Sequence, residues 1–293
     1  MRIPADIGLM LVPLLWGVTF PLIRMATSSM DAYSFVFWRF LCAFLVFLAI
    51  FLVSGGAKWH KIRNLLLPCL WLSFLAWVSY LTQTIGLGTI SSARSAFITG
   101  TNVIMVPLIA PFFKLHKPKK LDYTTALLAT FGLMLMTNAW NEPFSAGDLW
   151  TLVCAFAYAL YILWMQLYLE RYQPDALVLS FLQIMLVTFY SALMLPVHGF
   201  VFPPRNWQMV MVFIFCSIFA TIVTFWLQSH FQKQSTPERT ALIFATEPLF
   251  AAVFAYVLIN ETMTSQSIWG GGVIFLAIVT SEIGKTLTRS SKL

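Results

Sequence analysis

The chain is divided into ten apolar blocks of roughly 20 residues, separated by short loops that hold most of the charge. A helix of about 20 residues spans the ~30 Å hydrocarbon core of a bilayer, and in lipid a helix pairs its own backbone groups. The sequence therefore predicts an all-α polytopic membrane protein with ten transmembrane helices. The predicted spans are 7–27, 33–53, 65–85, 93–113, 121–138, 147–168, 176–197, 208–229, 240–258 and 268–287.

The composition agrees with a chain that lies mostly in lipid. Its 293 residues are 59% hydrophobic and 10% charged, whereas a soluble protein carries about 25% charged residues. The four cysteines all fall inside apolar blocks and share no C-x-x-C spacing. We therefore expect free buried thiols, with no metal site, no disulfide framework and no cofactor.

Lysine and arginine are distributed unequally between the two ends of the predicted spans. With the N-terminus in the cytoplasm, 14 lie on the cytoplasmic side and three (Arg24, Arg94 and Arg205) on the outer side, while Arg39 lies within a span. Because positive loops stay inside, both termini are predicted to be cytoplasmic, in a bacterial inner membrane. The net charge of +7 then needs no nucleic-acid partner. The loop Lys114–Lys120 is interpreted as a topology determinant that would also attract anionic membrane lipid.

Two segments of the first half recur in the second half at nearly the same spacing. Met30–Leu41 aligns with Pro174–Met185 at an offset of 144 residues. Ser95–Asn102 aligns with Thr240–Glu247 at an offset of 145. In this alignment Thr101 matches Thr246, and Asn102 matches Glu247. Each half holds an odd number of spans, so the second half enters the membrane the other way up. Inverted repeats of this kind recur in transporters.

The repeat predicts two units, residues 1–138 and residues 139–293, the second with a basic cytoplasmic tail. Each unit is a five-helix repeat, and the two are inverted relative to one another. Two inverted halves supply two nearly equivalent conformations, one open to each side of the membrane. This is what alternating access requires, with the substrate near the midplane between the halves.

Four segments carry a resemblance to a known family. They are "LLWGVTFPLIRMA" from Leu14, "FWRFL" from Phe37, "SSARSAFITGTNVIMVPL" from Ser91 and "TEPLFAAVFAYVLINETMT" from Thr246. Together they resemble the EamA branch of the drug/metabolite transporter superfamily, over nearly the whole chain. The resemblance implies ten helices with both termini inside, and export of amino acids, their derivatives or other small metabolites. Some similar proteins instead take up vitamins or metabolites.

Glu247 is the acidic residue that lies well inside a predicted span. An ionised carboxylate in hydrocarbon is costly, so it should face a cavity or a partner, or hold a proton. In transport it would bind a proton or a substrate amine. In an architectural role it would satisfy backbone groups freed at a kink by Pro248, which lacks an amide donor. The aligned position in the first half is Asn102, so the acidic position is not repeated.

Arg39 is interpreted either as a clamp for a substrate carboxylate or as a residue that snorkels outward or braces neighbouring helix ends. At ~1.5 Å per residue, its level differs from that of Glu247 by about 10 Å, so no ion pair between them is predicted. Arg94, at the outer mouth of its span, is a candidate gate. Neutral polar and aromatic residues would complete a cavity suited to amphipathic solutes or organic cations. The candidate cavity residues are Trp16, Arg39, Tyr80, Gln83, Thr101, Asn102, Tyr158, Tyr161, Gln183 and Glu247.

The predicted function is a secondary transporter that exports an amino acid or a derivative, with protons or exchange as the driving process. Uptake of a vitamin or another metabolite, and efflux of a drug-like organic cation, stay open. A channel or an intramembrane enzyme is a more remote alternative, since the sequence contains no filter-like segment, no H-E-x-x-H and no P-loop. The expected partners are a small-molecule substrate, membrane lipid and protons, in a monomer or homodimer.

Overall fold

The computed structural model describes residues 4–53, 59–113, 118–137, 143–259 and 265–290. Within these ranges the regular structure is helical throughout. The helices are α1 (Ala5–Thr27), α2 (Ala32–Val53), α3 (Trp59–Leu87), α4 (Ser92–Gly100), α5 (Asn102–Ile109), α6 (Lys120–Thr137), α7 (Ala146–Tyr172), α8 (Ala176–His198), α9 (Trp207–Ile214), α10 (Thr224–Phe231), α11 (Pro237–Phe244), α12 (Glu247–Ile259) and α13 (Ser265–Ser290). A π-helix, Phe215–Val223, joins α9 to α10, and short 3-10 turns follow α5 and α10.

Seven helical segments of the described chain are long and apolar enough to cross a membrane, which confirms the prediction of an all-α, multi-pass membrane protein. They are Ala5–Thr27, Ala32–Val53, Asn64–Leu87, Ser92–Phe113, Ala146–Tyr172, Ala176–His198 and Trp207–Gln234. The predicted spans 121–138, 240–258 and 268–287 fall on α6, the α11–α12 pair and α13, which are not among the seven. The predicted boundary between residues 138 and 139, and part of the basic loop at 114–117, lie outside the described residues.

Two segments are each broken into two short helices. α4 gives way to α5 at Thr101, and α11 gives way to α12 at Ala245 and Thr246. At each break a threonine hydroxyl donates to the carbonyl three residues earlier, from Thr101 to Ile98 at 2.6 Å and from Thr246 to Ile243 at 2.7 Å. The amide of the same threonine also donates to that carbonyl, at 3.1 Å in both cases, so the chain makes a tight turn at each break. The two threonines are the residues that the repeat alignment matches.

The most extensive helix contacts join the first half of the chain to the second. α3 packs along α7, α2 along α8, and α6 along α13. α1 packs against α11 and α12 and against the rod of α9, the π-helix and α10, while α7 packs against α4 and α5. Glycine permits the closest of these approaches: a Cβ on Gly132 of α6 would lie 2.8 Å from the carbonyl oxygen of Gly270 in α13. The halves are therefore interleaved.

The helix directions define two faces of the bundle. Tyr168, near the end of α7, donates to the carbonyl of Leu65, near the start of α3, so these two helices are antiparallel. Arg24, in the last turn of α1, donates to the carbonyl of Ile90, just after α3. α1 and α3 therefore end on the face where α7 begins, which we call the Asp148 face. The start of α1, about 33 Å away at 1.5 Å per residue, lies on the other face, which we call the Asp6 face.

Candidate functional site: a central aromatic cavity

A small cavity lies in the middle of the bundle, between helices of both halves. Its volume is about 20 Å³, room for roughly one water molecule. The walls therefore nearly touch across it, and a metabolite would fit only after they separate. The lining residues come from α1, α2, α3, α4, α7 and α12: Trp16, Thr19, Arg39, Ser79, Tyr80, Gln83, Thr99, Tyr158 and Glu247.

Aromatic rings form much of the cavity wall. Trp16 makes edge contacts with Tyr80, Tyr158 and Phe244, at centroid distances of 6.4, 5.5 and 5.5 Å. Edge-to-face packing of this kind stabilises rings beyond the burial of their area. Phe40 makes a further edge contact with Tyr80 at 5.1 Å. The wall therefore combines three tightly packed aromatic side chains with six polar or charged ones, and the polar and charged groups determine what it can recognise.

The π-helix presents one backbone carbonyl to the cavity residues. The Ala220 carbonyl accepts hydrogen bonds from Trp16 Nε1 at 3.1 Å and from Arg39 Nη2 at 2.9 Å. It also accepts from the Thr224 hydroxyl at 3.0 Å. A π-helix shifts the backbone register by one residue and is frequent at functional sites. This register lets a single atom hold both an indole and a guanidinium of the site.

Arg39 braces the π-helix rather than snorkelling outward, since it is 1% exposed. Its Nε donates to the Thr221 hydroxyl at 2.9 Å, and its guanidinium carbon lies 4.8 Å from the centroid of the Tyr80 ring. Two of its three nitrogens are thus used within the protein. The third, Nη1, makes no hydrogen bond to a described residue. One face of a fixed positive charge is therefore available to the cavity.

Glu247 lies at the first turn of α12 and lines the same cavity. The N-terminus of a helix carries a partial positive charge that favours a carboxylate, which explains how this residue is accommodated at 6% exposure. None of the hydrogen bonds or ion pairs between described residues involves its carboxylate. Arg39 and Glu247, both described, form no direct ion pair, as the depth estimate predicts. Both side chains line the same cavity.

A chain of buried amides leads from the cavity wall along the second half. The Tyr158 hydroxyl donates to Gln228 Oε1 at 3.2 Å, and Gln228 Nε2 donates to Gln232 Oε1 at 2.8 Å. Gln232 Nε2 in turn donates to the Ile162 carbonyl at 2.8 Å. These bonds tie the Tyr158 hydroxyl to α10, so that it is already used within the protein.

Six of the ten predicted cavity residues line the cavity: Trp16, Arg39, Tyr80, Gln83, Tyr158 and Glu247. The other four do not. Tyr161 and Gln183 hydrogen-bond one another at 2.6 Å behind the Tyr158 ring. Thr101 caps the break in its helix, and Asn102 is buried at the start of α5.

Three lining residues, Thr19, Ser79 and Thr99, were missed by sequence reasoning. Thr19 lies one helical turn after Trp16, and Thr99 accepts a hydrogen bond from Gln83 Nε2 at 3.3 Å. Small hydroxyl residues are common in transmembrane helices, so they carry little signal of their own. No group of three or more His, Cys, Asp or Glu side chains in the described ranges is arranged to hold a metal.

Arg94 lies outside the cavity lining and is held by a partner that sequence reasoning did not identify. Its Nε and Nη2 donate to the two oxygens of Asp148, at 2.5 and 2.9 Å. Asp148 also accepts from the backbone amide and the hydroxyl of Ser145, at 2.6 and 2.9 Å, as the capping box of α7. The predicted gate is thus tied to a helix start on the Asp148 face.

Comparisons with known proteins agree with this architecture. A family model described as the EamA-like transporter family matches the chain over residues 3–138 and again over residues 145–281. Two relatives from Archaeoglobus fulgidus, each named "Uncharacterized transporter", are 28% identical over 282 residues (95% of this chain and 85% of the relative) and 27% identical over 267 residues (86% and 88%). A solved structure described as "Crystal structure of protein" shares the fold with a TM-score of 0.77 at 13% identity, covering 95% of this chain and 97% of that one. On the strength of the family match to both halves, the chain belongs to the EamA-like transporter family, within the drug/metabolite transporter superfamily, and is a multi-pass membrane transporter.

Proposed function

We propose that this protein is a secondary transporter that exports a small zwitterionic metabolite, an amino acid or a derivative, through the central cavity. The observation that carries the proposal is one buried cavity, lined from both halves, in which a guanidinium and a carboxylate lie among aromatic rings. Binding at such a site would depend on two opposite charges of the substrate and on the apolar surface that the substrate buries against the rings. The transport is driven by protons or by exchange.

The charges and rings of the cavity suit the two ends of an α-amino acid. Arg39 Nη1 is positioned to donate to a substrate carboxylate. The Glu247 carboxylate would accept from the substrate amine, and Trp16 and Tyr158 would pack on an apolar side chain. Arg39 and Glu247 do not neutralise one another directly, so each can take a substrate charge. A buried charge without a partner is costly, which favours a substrate that satisfies both.

Alternating access would follow from two inverted five-helix repeats, residues 1–138 and 139–293. Three observations support this division: helix breaks at aligned threonines, matched packing of α1 and α7, and a family model that matches each half once. In this proposal α6, the α11–α12 pair and α13 cross the membrane together with the seven longer segments. The distribution of Lys and Arg then places both termini in the cytoplasm of a bacterial cell.

Efflux of an organic cation is the second candidate, because Glu247 lines the same cavity as Trp16 and Tyr158, and carboxylates and aromatic rings both bind cations. The Arg39 charge in the same cavity opposes a substrate that is only positive. The two proposals therefore differ in whether the ligand needs a carboxylate.

Three matched ligands separate these proposals. Purified protein is heated with an apolar amino acid, with the amine that lacks its carboxylate, and with the acid that lacks its amine, and the melting temperature is measured. Ligand binding raises it. We expect a shift with the amino acid alone, lost in Arg39→Gln and smaller but still present in Glu247→Gln, whose amide oxygen can still accept from the substrate amine. An equal shift with the amine would favour the organic cation instead.

Flux measurement completes the test. In proteoliposomes, a carrier preloaded with unlabelled substrate accumulates labelled substrate by counterflow, and the rate saturates with concentration. A channel shows neither behaviour. If amino acids, vitamins and organic cations all fail to shift the melting temperature and to support counterflow, the transport proposal for this cavity is wrong.

A further inference from the structure

Two Arg–Asp pairs lie at equivalent positions of the two halves. Arg94 is the third residue of α4, and Arg239 is the third residue of α11. Each follows a hydroxyl cap: the Ser91 side chain accepts from Arg94 N at 3.2 Å, and the Thr236 side chain accepts from Arg239 N at 3.3 Å. The two arginines are 145 residues apart, which is the offset of the repeat.

The partner of each arginine lies in the first turn of a long helix. Two nitrogens of Arg94 donate hydrogen bonds to the carboxylate of Asp148 in α7, and two nitrogens of Arg239 donate to the carboxylate of Asp6 in α1. Arg239 Nε lies 3.1 Å from Asp6 Oδ1, and Nη2 lies 2.9 Å from Asp6 Oδ2. A guanidinium bound by two parallel hydrogen bonds has a fixed orientation. Both pairs are therefore defined contacts between a short helix and a long one.

The two pairs lie on opposite faces of the bundle. α1 begins on the Asp6 face and ends on the Asp148 face, where α7 begins. The Arg239–Asp6 pair therefore lies on the Asp6 face and the Arg94–Asp148 pair on the Asp148 face, roughly the length of α1 apart. The central cavity lies between them.

Each pair holds the far end of a half-helix whose near end reaches the cavity. From Arg94 to the break at Thr101, and from Arg239 to the break at Thr246, is seven residues, about 10 Å of helix. Thr99 of α4 lines the cavity, and Phe244, the last residue of α11, makes an edge contact with the lining residue Trp16 at 5.5 Å. Each half-helix is held at one end by an Arg–Asp pair and is interrupted at the other end. Once the pair separates, the half-helix can rotate about the interruption.

In this structure both pairs are closed, and the cavity between them holds roughly one water. We propose that Arg94–Asp148 and Arg239–Asp6 are two latches, each closing one entrance to the cavity, and that they open in turn. This rests on the proposed transport function and assigns its gates. Opening one latch frees α4 or α11 to swing from α7 or α1, while the other latch keeps the far entrance shut.

The latches differ in exposure. The Asp148 side chain is 1% exposed and also held by Ser145, whereas the Asp6 side chain is 44% exposed. Water weakens an exposed ion pair, so the latch on the Asp6 face opens more readily. With the N-terminus in the cytoplasm this is the cytoplasmic entrance, the side from which an exporter takes its substrate.

Sided labelling of one cavity cysteine tests the proposal without any substrate. Thr99→Cys is introduced into a chain whose four native cysteines are replaced, and a charged, membrane-impermeant thiol reagent is added to one face of oriented vesicles. Arg94→Gln is expected to raise the labelling rate from the Asp148 face on the order of tenfold, and Arg239→Gln from the Asp6 face, a size typical of coupling between conformational states. Each variant leaves the opposite face unchanged or slower.

Two control variants distinguish the loss of a latch from a general loosening of the helix packing. Arg24→Gln removes an arginine from the Asp148 face that bonds only a carbonyl among described residues, and Arg171→Gln removes one near the end of α7, on the Asp6 face. Neither is expected to alter labelling. If Arg239→Gln does not fold, Asp6→Asn breaks the same pair from its half-exposed side.

Equal acceleration from both faces, or no acceleration in either latch variant, overturns the assignment and leaves the pairs as helix anchors. Sided acceleration in a protein that shows no ligand shift and no counterflow would support the latches and refute the transport proposal. The two failures are therefore distinguishable.

Discussion

At the scale of single residues, Glu247 shows why a carboxylate occurs inside an apolar segment. The helix is interrupted just before it, so the side chain lies at the positive end of α12 rather than in the middle of a continuous span. Its environment thus combines a helix terminus with a cavity wall. The architectural and the transport interpretations are therefore compatible, since the same break that accommodates the charge also directs it to the cavity.

Replacing the charge separates proton coupling from substrate exchange. In Glu247→Gln we expect uptake driven by a pH gradient to fall to background, because an amide cannot release a proton, while counterflow continues. Both are measured in proteoliposomes with a labelled substrate. Glu170→Gln, an exposed carboxylate near the end of α7, is the matched control and should behave as wild type. Gradient-driven uptake at the full rate in Glu247→Gln would exclude this role.

Thr221 is expected to position Arg39. Thr221→Val keeps the shape but removes the hydroxyl that accepts from Arg39 Nε, and Thr221→Ser retains it. A hydrogen bond to a charged group contributes about 1.5–3 kcal/mol, so we expect substrate affinity to fall on the order of tenfold in the valine variant and little in the serine variant. Ligand-dependent melting shifts measure this, and equal affinity of the two variants would contradict it.

Six of the ten side chains predicted from the sequence line the cavity, but three of their neighbours there, Thr19, Ser79 and Thr99, were not predicted. Counting residues along a span gives depth, and on that basis Asn102, Trp16 and Tyr158 stand at one level. Depth says nothing about rotation around the helix axis, and the break at Thr101 changes that rotation for everything after it. Asn102 is consequently buried in α5 away from the cavity.

At the scale of helices, the two breaks were predictable to different degrees. Pro248 marks the break before α12, since proline removes an amide donor. The break at Thr101 has no adjacent proline, and only the alignment with Thr246 indicates it. The π-helix Phe215–Val223 contains neither glycine nor proline. Its register is stabilised by side chains from α1 and α2 that bind the Ala220 carbonyl, a tertiary cause with no local signal.

Restoring the missing amide at the second break should impede movement there. In Pro248→Ala the new N–H can bond the Phe244 carbonyl and join α11 to α12. We expect a melting temperature raised by a few degrees, about 1 kcal/mol for a protein of this size, and slower transport. Pro196→Ala, near the end of α8, is the control. Unchanged transport in a stabilised Pro248→Ala protein would show that the break does not move.

At the scale of the whole molecule, the apolar blocks predicted where helices lie along the chain, but not the lengths of those helices. α3 runs from Trp59 to Leu87 where 65–85 was predicted, and α7 from Ala146 to Tyr172 where 147–168 was predicted. Hydrophobicity marks the part of a helix that lies in hydrocarbon. The polar ends continue as helix into the interface, held by caps such as the Ser145–Asp148 box.

The location of the two termini tests the inverted repeat directly. A protease-sensitive tag is fused to each end in turn, and cleavage is compared in right-side-out and inverted vesicles. If the chain crosses the membrane ten times, as proposed, it returns to its starting side, and both tags should be cleaved only in inverted vesicles. Tags on opposite faces would require an odd number of spans, and the pairing of the halves would then be wrong.

The Ala220 carbonyl ties two kinds of recognition to a single backbone atom. Since the indole of Trp16 and the guanidinium of Arg39 share this acceptor, loss of one donor alters the hydrogen bond left to the other, and substitutions at residues with a common partner are not additive. A change of preferred cargo in this fold would therefore require paired exchanges, or a shift of the π-helix that resets both donors at once. Transporters with this shared acceptor would change their substrate specificity through several simultaneous substitutions rather than through single ones.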